Sequence, residues 1–231
     1  MRNFINEKSF QFEFGENMEE IEIKDRILAK AEETFFQFGY TRVRMDEIAE
    51  GLGISKKTLY KYFNSKEDLL RTIVGTIKVR IKTNCDIICD NREMDFIVKL
   101  KNLMSYIAKQ SSKLQGPLPQ DLQKNFPQIW IEINDYRKKE SFNKFSELIN
   151  DGVREGAFRS DIDQQIIVLM YVHAISGVIT PDVLAQLPFT GDQVFETIIK
   201  IMFEGIFTDE GREKYVSYLK DGSIEKGDIK L

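Results

Sequence analysis

Residues 39 to 70, GYTRVRMDEIAEGLGISKKTLYKYFNSKEDLL, constrain the fold more tightly than any other stretch. Their turn residues and apolar spacing specify two short crossing helices, with a third starting directly behind them. Gly39 closes a preceding amphipathic helix, since glycine accepts the left-handed conformation that ends many helices. Val43 and Met45 lead into a short helix with Ile48, Ala49 and Leu52 on one face, and Gly53 permits the sharp reversal that follows. Ala49 is small enough for the next helix to cross closely. Ser55 suits the N-cap of a helix over about 56 to 63, in which Leu59 and Phe63, four residues apart, point inward together. Lys56, Lys57, Thr58, Tyr60, Lys61 and Tyr62 are left facing out. Lysine offers a point charge to phosphate, threonine and tyrosine hydroxyls bond phosphate oxygens or base edges, and a single helix fits a DNA major groove. Ser65 then caps the following helix, with Asp68 placed to complete a capping box. The plainer alternative is a structural helical hairpin with a solvated, charged face.

Taken in order, these residues resemble the DNA-binding domain of TetR-family transcriptional regulators. The family's pattern is Gly-aromatic, a short helix ending in Ile-Ala, Gly-(Val/Ile)-Ser, then Leu-Tyr-x-aromatic-Phe-x-x-Lys-(Glu/Asp)-x-Leu. Gly39, Tyr40, Ile48, Ala49, Gly53, Ile54, Ser55, Thr58, Leu59, Tyr60, Phe63, Lys66, Glu67 and Leu69 fall on it. The resemblance spans roughly residues 22 to 72, about a quarter of the chain, and so many positions in fixed order make it specific. It implies an all-α fold of about nine helices: an N-terminal three-helix helix-turn-helix DNA-binding domain, then a larger helical effector-binding and dimerisation domain. The partners it implies are a double-stranded DNA operator, a second copy of the chain and a small-molecule effector that relieves repression, with no cofactor. It adds Lys66 to the DNA-contact set. Two departures matter. Val43 and Arg44 stand where the family usually has Ser or Thr, so the capping hydroxyl is missing and Arg44 is left as a candidate phosphate contact. Lys57 stands where a small residue or proline is common, and its longer cation is expected to alter base preference.

Charge supports this only when read by position. The chain carries 33 basic and 37 acidic residues, a net charge of −4, yet from Gly39 to Arg80 nine Lys or Arg face five Asp or Glu. That segment is +4 and the remainder −8, so a basic reading head is attached to an acidic body and phosphate attraction acts locally. Arg2, Glu7 and Lys8, with no long apolar run, argue against a secretory leader, and a cytoplasmic location is expected. The most apolar run, 166 to 179, contains His173 and Ser176 and falls short of the roughly 20 residues a membrane span needs. Cys85 and Cys89 sit one helical turn apart, where redox or metal chemistry is conceivable. The chain scarcely has ligands to complete a zinc site, so ordinary structural cysteines are the expectation.

Periodicity divides the chain into a 1–18 extension, a 19–72 helix-turn-helix domain with a linking helix to about 89, a 90–208 helical domain and a 209–231 tail. Phe4, Phe10, Phe12 and Phe14 alternate with polar residues, which suggests either a strand-like arm or a disordered tail. A first core helix over 24 to 38 has Ile27, Ala31, Phe35 and Phe38 inward. Further helices are expected over 66 to 85, 94 to 114, 121 to 126, a long one after Pro127, an apolar one capped by Asp161 or Asp163, and 195 to 207. Residues 209 to 231 read as a frayed tail or a short extra helix.

The resemblance places a ligand pocket among the helices of the second domain. Leu103, Met104, Ile107, Phe126, Trp130, Ile133 and Tyr171 are its large apolar candidates, and His173, the only histidine, is a polar one. Each also reads as simple core. Glu132 and Asp135 are possible cation-recognising groups. The run at 166 to 179 is apolar nearly all round, which suits a helix buried both in its own domain and against a second copy, and a charge at Val172 or Ile199 is expected to break that pairing. Two other readings compete: a DNA-binding regulator controlled by a protein partner or by no effector, and a helical enzyme. Against the enzyme stand the single histidine, the lack of a Glu-x-x-His pair, and the lack of a phosphate loop or nucleophile elbow.

Overall fold

The computed structural model describes the backbone of residues 7 to 220 and the side chains of residues 20 to 218. Among these residues the fold is all helical: α1 (Glu7–Phe38), α2 (Met45–Gly51), α3 (Lys56–Tyr62), α4 (Lys66–Cys89), α5 (Phe96–Ser112), α6 (Pro117–Asn125), α7 (Pro127–Arg154), α8 (Gln164–Val178), α9 (Pro181–Leu184), α10 (Gly191–Ile206) and α11 (Asp209–Lys220), with one 3-10 turn at Lys113–Gln115. No helix among them is long and apolar enough to cross a membrane. Two compact units divide the chain after residue 78.

Eleven α-helices exceed the nine expected, and both additions are short or polar enough to escape periodicity. One is the single turn α9, started by Pro181 and by the Thr180 hydroxyl, which accepts from the Val183 N–H at 3.4 Å. The other is α11, so the tail after residue 209 begins as a helix, held by the half-buried Tyr215 against the Phe207 ring at 5.1 Å. Residues 7 to 17 correct the expectation of an extended arm. They are helical and continuous with α1, because adding turns to an existing helix costs far less than nucleating a new element. The rest of the extension and of the tail, residues 1 to 6 and 221 to 231, lies outside the described residues.

In the first unit α1 packs on α2 and α2 on α3, and Ile27, Ala31, Phe35, Ile48, Ala49, Leu59, Leu69, Leu70 and Ile73 are buried. Gly53, at φ 67°, makes the reversal. Its N–H bonds the Glu50 carbonyl while the Ile54 N–H reaches back to Ala49 at 3.0 Å, a Schellman ending that only a residue free of a Cβ adopts cheaply.

In the second unit α7 packs along α8 and α10 along α5, around a core that includes Phe145, Ile149, Phe158, Tyr171, Phe195 and Phe203. Asp163 is the residue that caps α8, accepting from Gln165 and Ile166, whereas Asp161 is taken up by Arg159 at 2.6 Å. Close approach sets one crossing: a Cβ on Gly152 would lie 2.1 Å from the Phe158 ring. The end of α4 is tied to α7 by Asp86, whose carboxylate lies 2.7 Å from Lys144 and 3.0 Å from Lys82. Both hydrogen bonds hold the Asp86 carboxyl below its ordinary range.

Candidate nucleic-acid interface

The reading helix α3 is short, so its start and its seat decide its position. The Ser55 hydroxyl accepts from the Thr58 N–H at 3.0 Å and pairs with the Thr58 hydroxyl at 2.8 Å. Buried Leu59 and Phe63 seat the helix inward. Lys57 and Lys61, two residues either side of Leu59, therefore lie on the opposite side of the helix. Both are exposed, but only Lys57 has no ion-pair partner among the described residues. Lys61 is paired with Glu20 of α1 and sits 5.6 Å from the Tyr62 ring centroid. Lys56 is held 2.9 Å from Asp46 at the start of α2, which raises its pKa further, and lies over Tyr60, itself exposed.

Around α3 two further cations are fixed by the local fold. Lys66, at the start of α4, stands 4.3 Å from the Tyr40 ring centroid and 3.4 Å from the Thr41 carbonyl oxygen, so it bridges the turn before α2. Arg44 occupies the N-cap of α2, where its side chain cannot cap because a guanidinium has no acceptor. Glu47 compensates by accepting from the Arg44 N–H at 2.9 Å, which leaves the Arg44 side chain exposed and 3.7 Å from Asp46. The start of α4 departs slightly from the expected box. Ser65 accepts from Asp68 N–H, but the Asp68 carboxylate bonds the Asn64 N–H one residue earlier.

The candidate ligand residues separate into three groups in the second unit. Leu103, Met104 and Tyr171 are buried in its core, with Ile107 packed against it and the Tyr171 ring stacked 3.6 Å from Phe145. Phe126, Trp130 and Ile133 are half-buried at the junction of α6 and α7 and along the first turns of α7. His173 is exposed on the outward face of α8, on the same side as Ile166, Leu169 and Met170. Sequence reasoning passed over Arg137, which lies inward on α7 and has Asn134 as a hydrogen-bond partner. Cys85 is buried and its thiol is pushed up to about 12 by desolvation, and that of Cys89 is raised for the same reason. Both are poor nucleophiles as a result.

A capped helix with outward-facing cations, packed on α2 across a glycine turn, is the arrangement of a helix-turn-helix. Residues 27–73 match the model of the bacterial regulatory proteins of the tetR family. An HTH-type transcriptional regulator of Bacillus subtilis (strain 168), YvaF, is 28% identical over 185 residues, covering 80% of this chain and 96% of its own. The HTH-type transcriptional repressor KstR2 of Mycolicibacterium smegmatis is 24% identical over 191 residues, 81% of this chain and 92% of that one. Among solved structures, the fatty acid degradation regulator FadR of Bacillus halodurans superposes with a TM-score of 0.59 at 23% identity, over 79% of this chain and 95% of that one. Residues 27–73 are thus a helix-turn-helix domain of the tetR type, and the chain is similar to HTH-type transcriptional regulators over about four-fifths of its length.

Proposed function

We propose that the protein is a homodimeric repressor that leaves its operator when a small molecule binds the second unit. The observation that carries the dimer is the outward face of α8, where Ile166, Leu169 and Met170 are exposed beside Ile201 of α10. A row of large apolar side chains on an otherwise charged surface marks an interface, and a two-fold axis lets one patch serve both copies. Val172 and Ile199, expected from sequence to lie at that interface, point into the protomer's own core instead. The physical reason is that α8 is apolar on both sides, so periodicity does not distinguish its faces. His173, sharing the outward face, belongs on this reading to the dimer surface rather than to the pocket.

On DNA, two copies set two reading helices against half-sites about 34–36 Å apart. Lys57, at the apex of α3, and exposed Tyr60 are the candidates for base edges; Arg44, Lys56, Lys66 and the Thr58 and Tyr62 hydroxyls are candidates for backbone contacts. Lys57→Ala is expected to change sequence preference. Lys66→Ala should weaken all sequences alike and lower the slope of log affinity against log salt by about one unit per protomer. Lys61→Ala should do less than either, since its charge is already met by Glu20. Equal losses for Lys57→Ala across operator and unrelated DNA would remove it from base readout.

The effector arm rests on half-buried Phe126, Trp130 and Ile133 and on the Lys144–Asp86 link, which joins α7 to the helix that continues into the reading head. A ligand changes operator affinity only by binding one arrangement better than another. Trp130→Ala is therefore expected to blunt the ligand response and to leave ligand-free operator binding nearly intact. Operator affinity indifferent to every small molecule that binds the second unit would favour control by a protein partner instead. Such a regulator acts where the DNA is, in the cytoplasm.

A further inference from the structure

Along its inner side α7 changes character at Arg137. Beyond it Phe145, Leu148 and Ile149 are buried, while before it Trp130, Ile133 and Asn134 are only half-buried, with Ile129 the buried residue at the start of the helix. Arg137 stands at this transition, and its guanidinium donates to Asn134 Oδ1 at 3.2 Å, a neutral partner on the same helix. No carboxylate pairs with it among the described residues. Glu140, one turn further on, couples to Lys82 and Tyr136. Tyr171 of α8, the titratable group that does couple to Arg137, is buried, and desolvation raises its own pKa, so it stays neutral.

An arginine covering apolar surface with its stem normally keeps its head in water. Here the residue retains some exposure, but loss of water around the guanidinium pushes its pKa down to about 10. A cation short of water and of a counter-charge is costly, and the one protein acceptor its guanidinium has among the described residues is the neutral Asn134. The free edge of a planar guanidinium matches a carboxylate in two parallel hydrogen bonds.

Resting on the effector reading above, we propose that Arg137 is the anchor for an anionic amphiphile, whose carboxylate docks on the guanidinium and whose apolar body lies along Ile133 and Trp130. The ligand supplies the missing counter-charge, and its hydrocarbon covers the half-buried turns of α7.

The test uses the full-length protein and its single tryptophan. Trp130 lies seven residues before Arg137 on the same side of α7, about 10 Å along the axis, and so reports binding directly. Dodecanoate and 1-dodecanol share an apolar body and differ in charge. The wild type should prefer dodecanoate by about 10- to 100-fold, the range of a charge-assisted hydrogen bond. Arg137→Gln should abolish that preference while dodecanol affinity stays within about twofold, and Arg137→Lys, which keeps the charge without the fork, should fall between. Arg137→Gln should also melt higher than the wild type without ligand, since it removes the lone desolvated charge, and dodecanoate should raise the melting temperature of the wild type more than that of the variant. The proposal is overturned if Arg137→Gln keeps the preference for dodecanoate, or if dodecanoate gives no saturable Trp130 response in the wild type. A DNA fragment selected from a random pool separates the two readings. Arg137-dependent dodecanoate binding that leaves DNA affinity unchanged would keep the site and remove its role as an effector site.

Discussion

Met170→Asp is expected to convert the proposed dimer into a folded monomer and to weaken operator binding by about 10²- to 10⁴-fold, the advantage two linked reading heads hold over one. Met170 is 61% exposed and Ile201 is 70% exposed, so a carboxylate at either position remains hydrated in the isolated protomer. In the pairing proposed here each substitution is also present on the partner copy, and two like charges then face each other in an apolar setting, which is costly. Val172→Asp and Ile199→Asp are the informative contrasts. These side chains are 9% and 4% exposed, and a buried carboxylate there should unfold the second unit rather than release a native monomer. Sedimentation at micromolar concentration combined with circular dichroism distinguishes the outcomes. A Met170→Asp protein that sediments as a dimer, or a wild type that sediments as a monomer, would remove this face as the interface.

The reading head was legible in sequence because its determinants are local. Ser55 sits three residues from the N–H it caps, Leu59 and Phe63 four residues apart, and Gly53 at the one turn that needs positive φ. What the sequence could not show was which of the outward lysines keeps its charge available. Lys61 is met by Glu20, 41 positions earlier, and Lys56 by Asp46, ten positions earlier, leaving Lys57 at the apex. The loss of a capping hydroxyl at Arg44 was visible, whereas its replacement by the Glu47 carboxylate became evident only with the side chain in place.

The second unit was less legible, for the same physical reason read in reverse. In α8 apolar residues surround the helix, so nothing in their spacing separates the core face of Ile167, Val168, Tyr171 and Ile175 from the outward face of Ile166, Leu169 and Met170. Arg137 drew no notice in the sequence, because its setting depends on which groups the neighbouring helix brings to it. Gly152, two residues before the end of α7, admits the Phe158 ring, a close approach that helical periodicity does not reveal.

That ring belongs to the cluster on which the second unit depends most, and Phe203→Ala should destabilise this unit by about 3–5 kcal/mol, the usual cost of removing a phenylalanine from a closed core. Phe203 is 1% exposed and its ring centre lies 5.6 Å from Phe158, 5.7 Å from Phe207 and 6.4 Å from Phe145, which in turn stacks on Tyr171. Truncation removes transfer energy and leaves a void that three aromatic neighbours, each fixed by others, cannot collapse to fill. Against a typical stability of about 5–15 kcal/mol such a loss is a large fraction. Urea unfolding followed by Trp130 emission reads this unit alone, because the only tryptophan lies within it. The midpoint should fall with little change in slope, and Phe203→Leu, which keeps most of the apolar volume, should lose much less. A Phe203→Ala stability within about 1 kcal/mol of wild type would mean that the cluster can repack, and that α10 is held chiefly by its contacts with a second copy rather than by its own core.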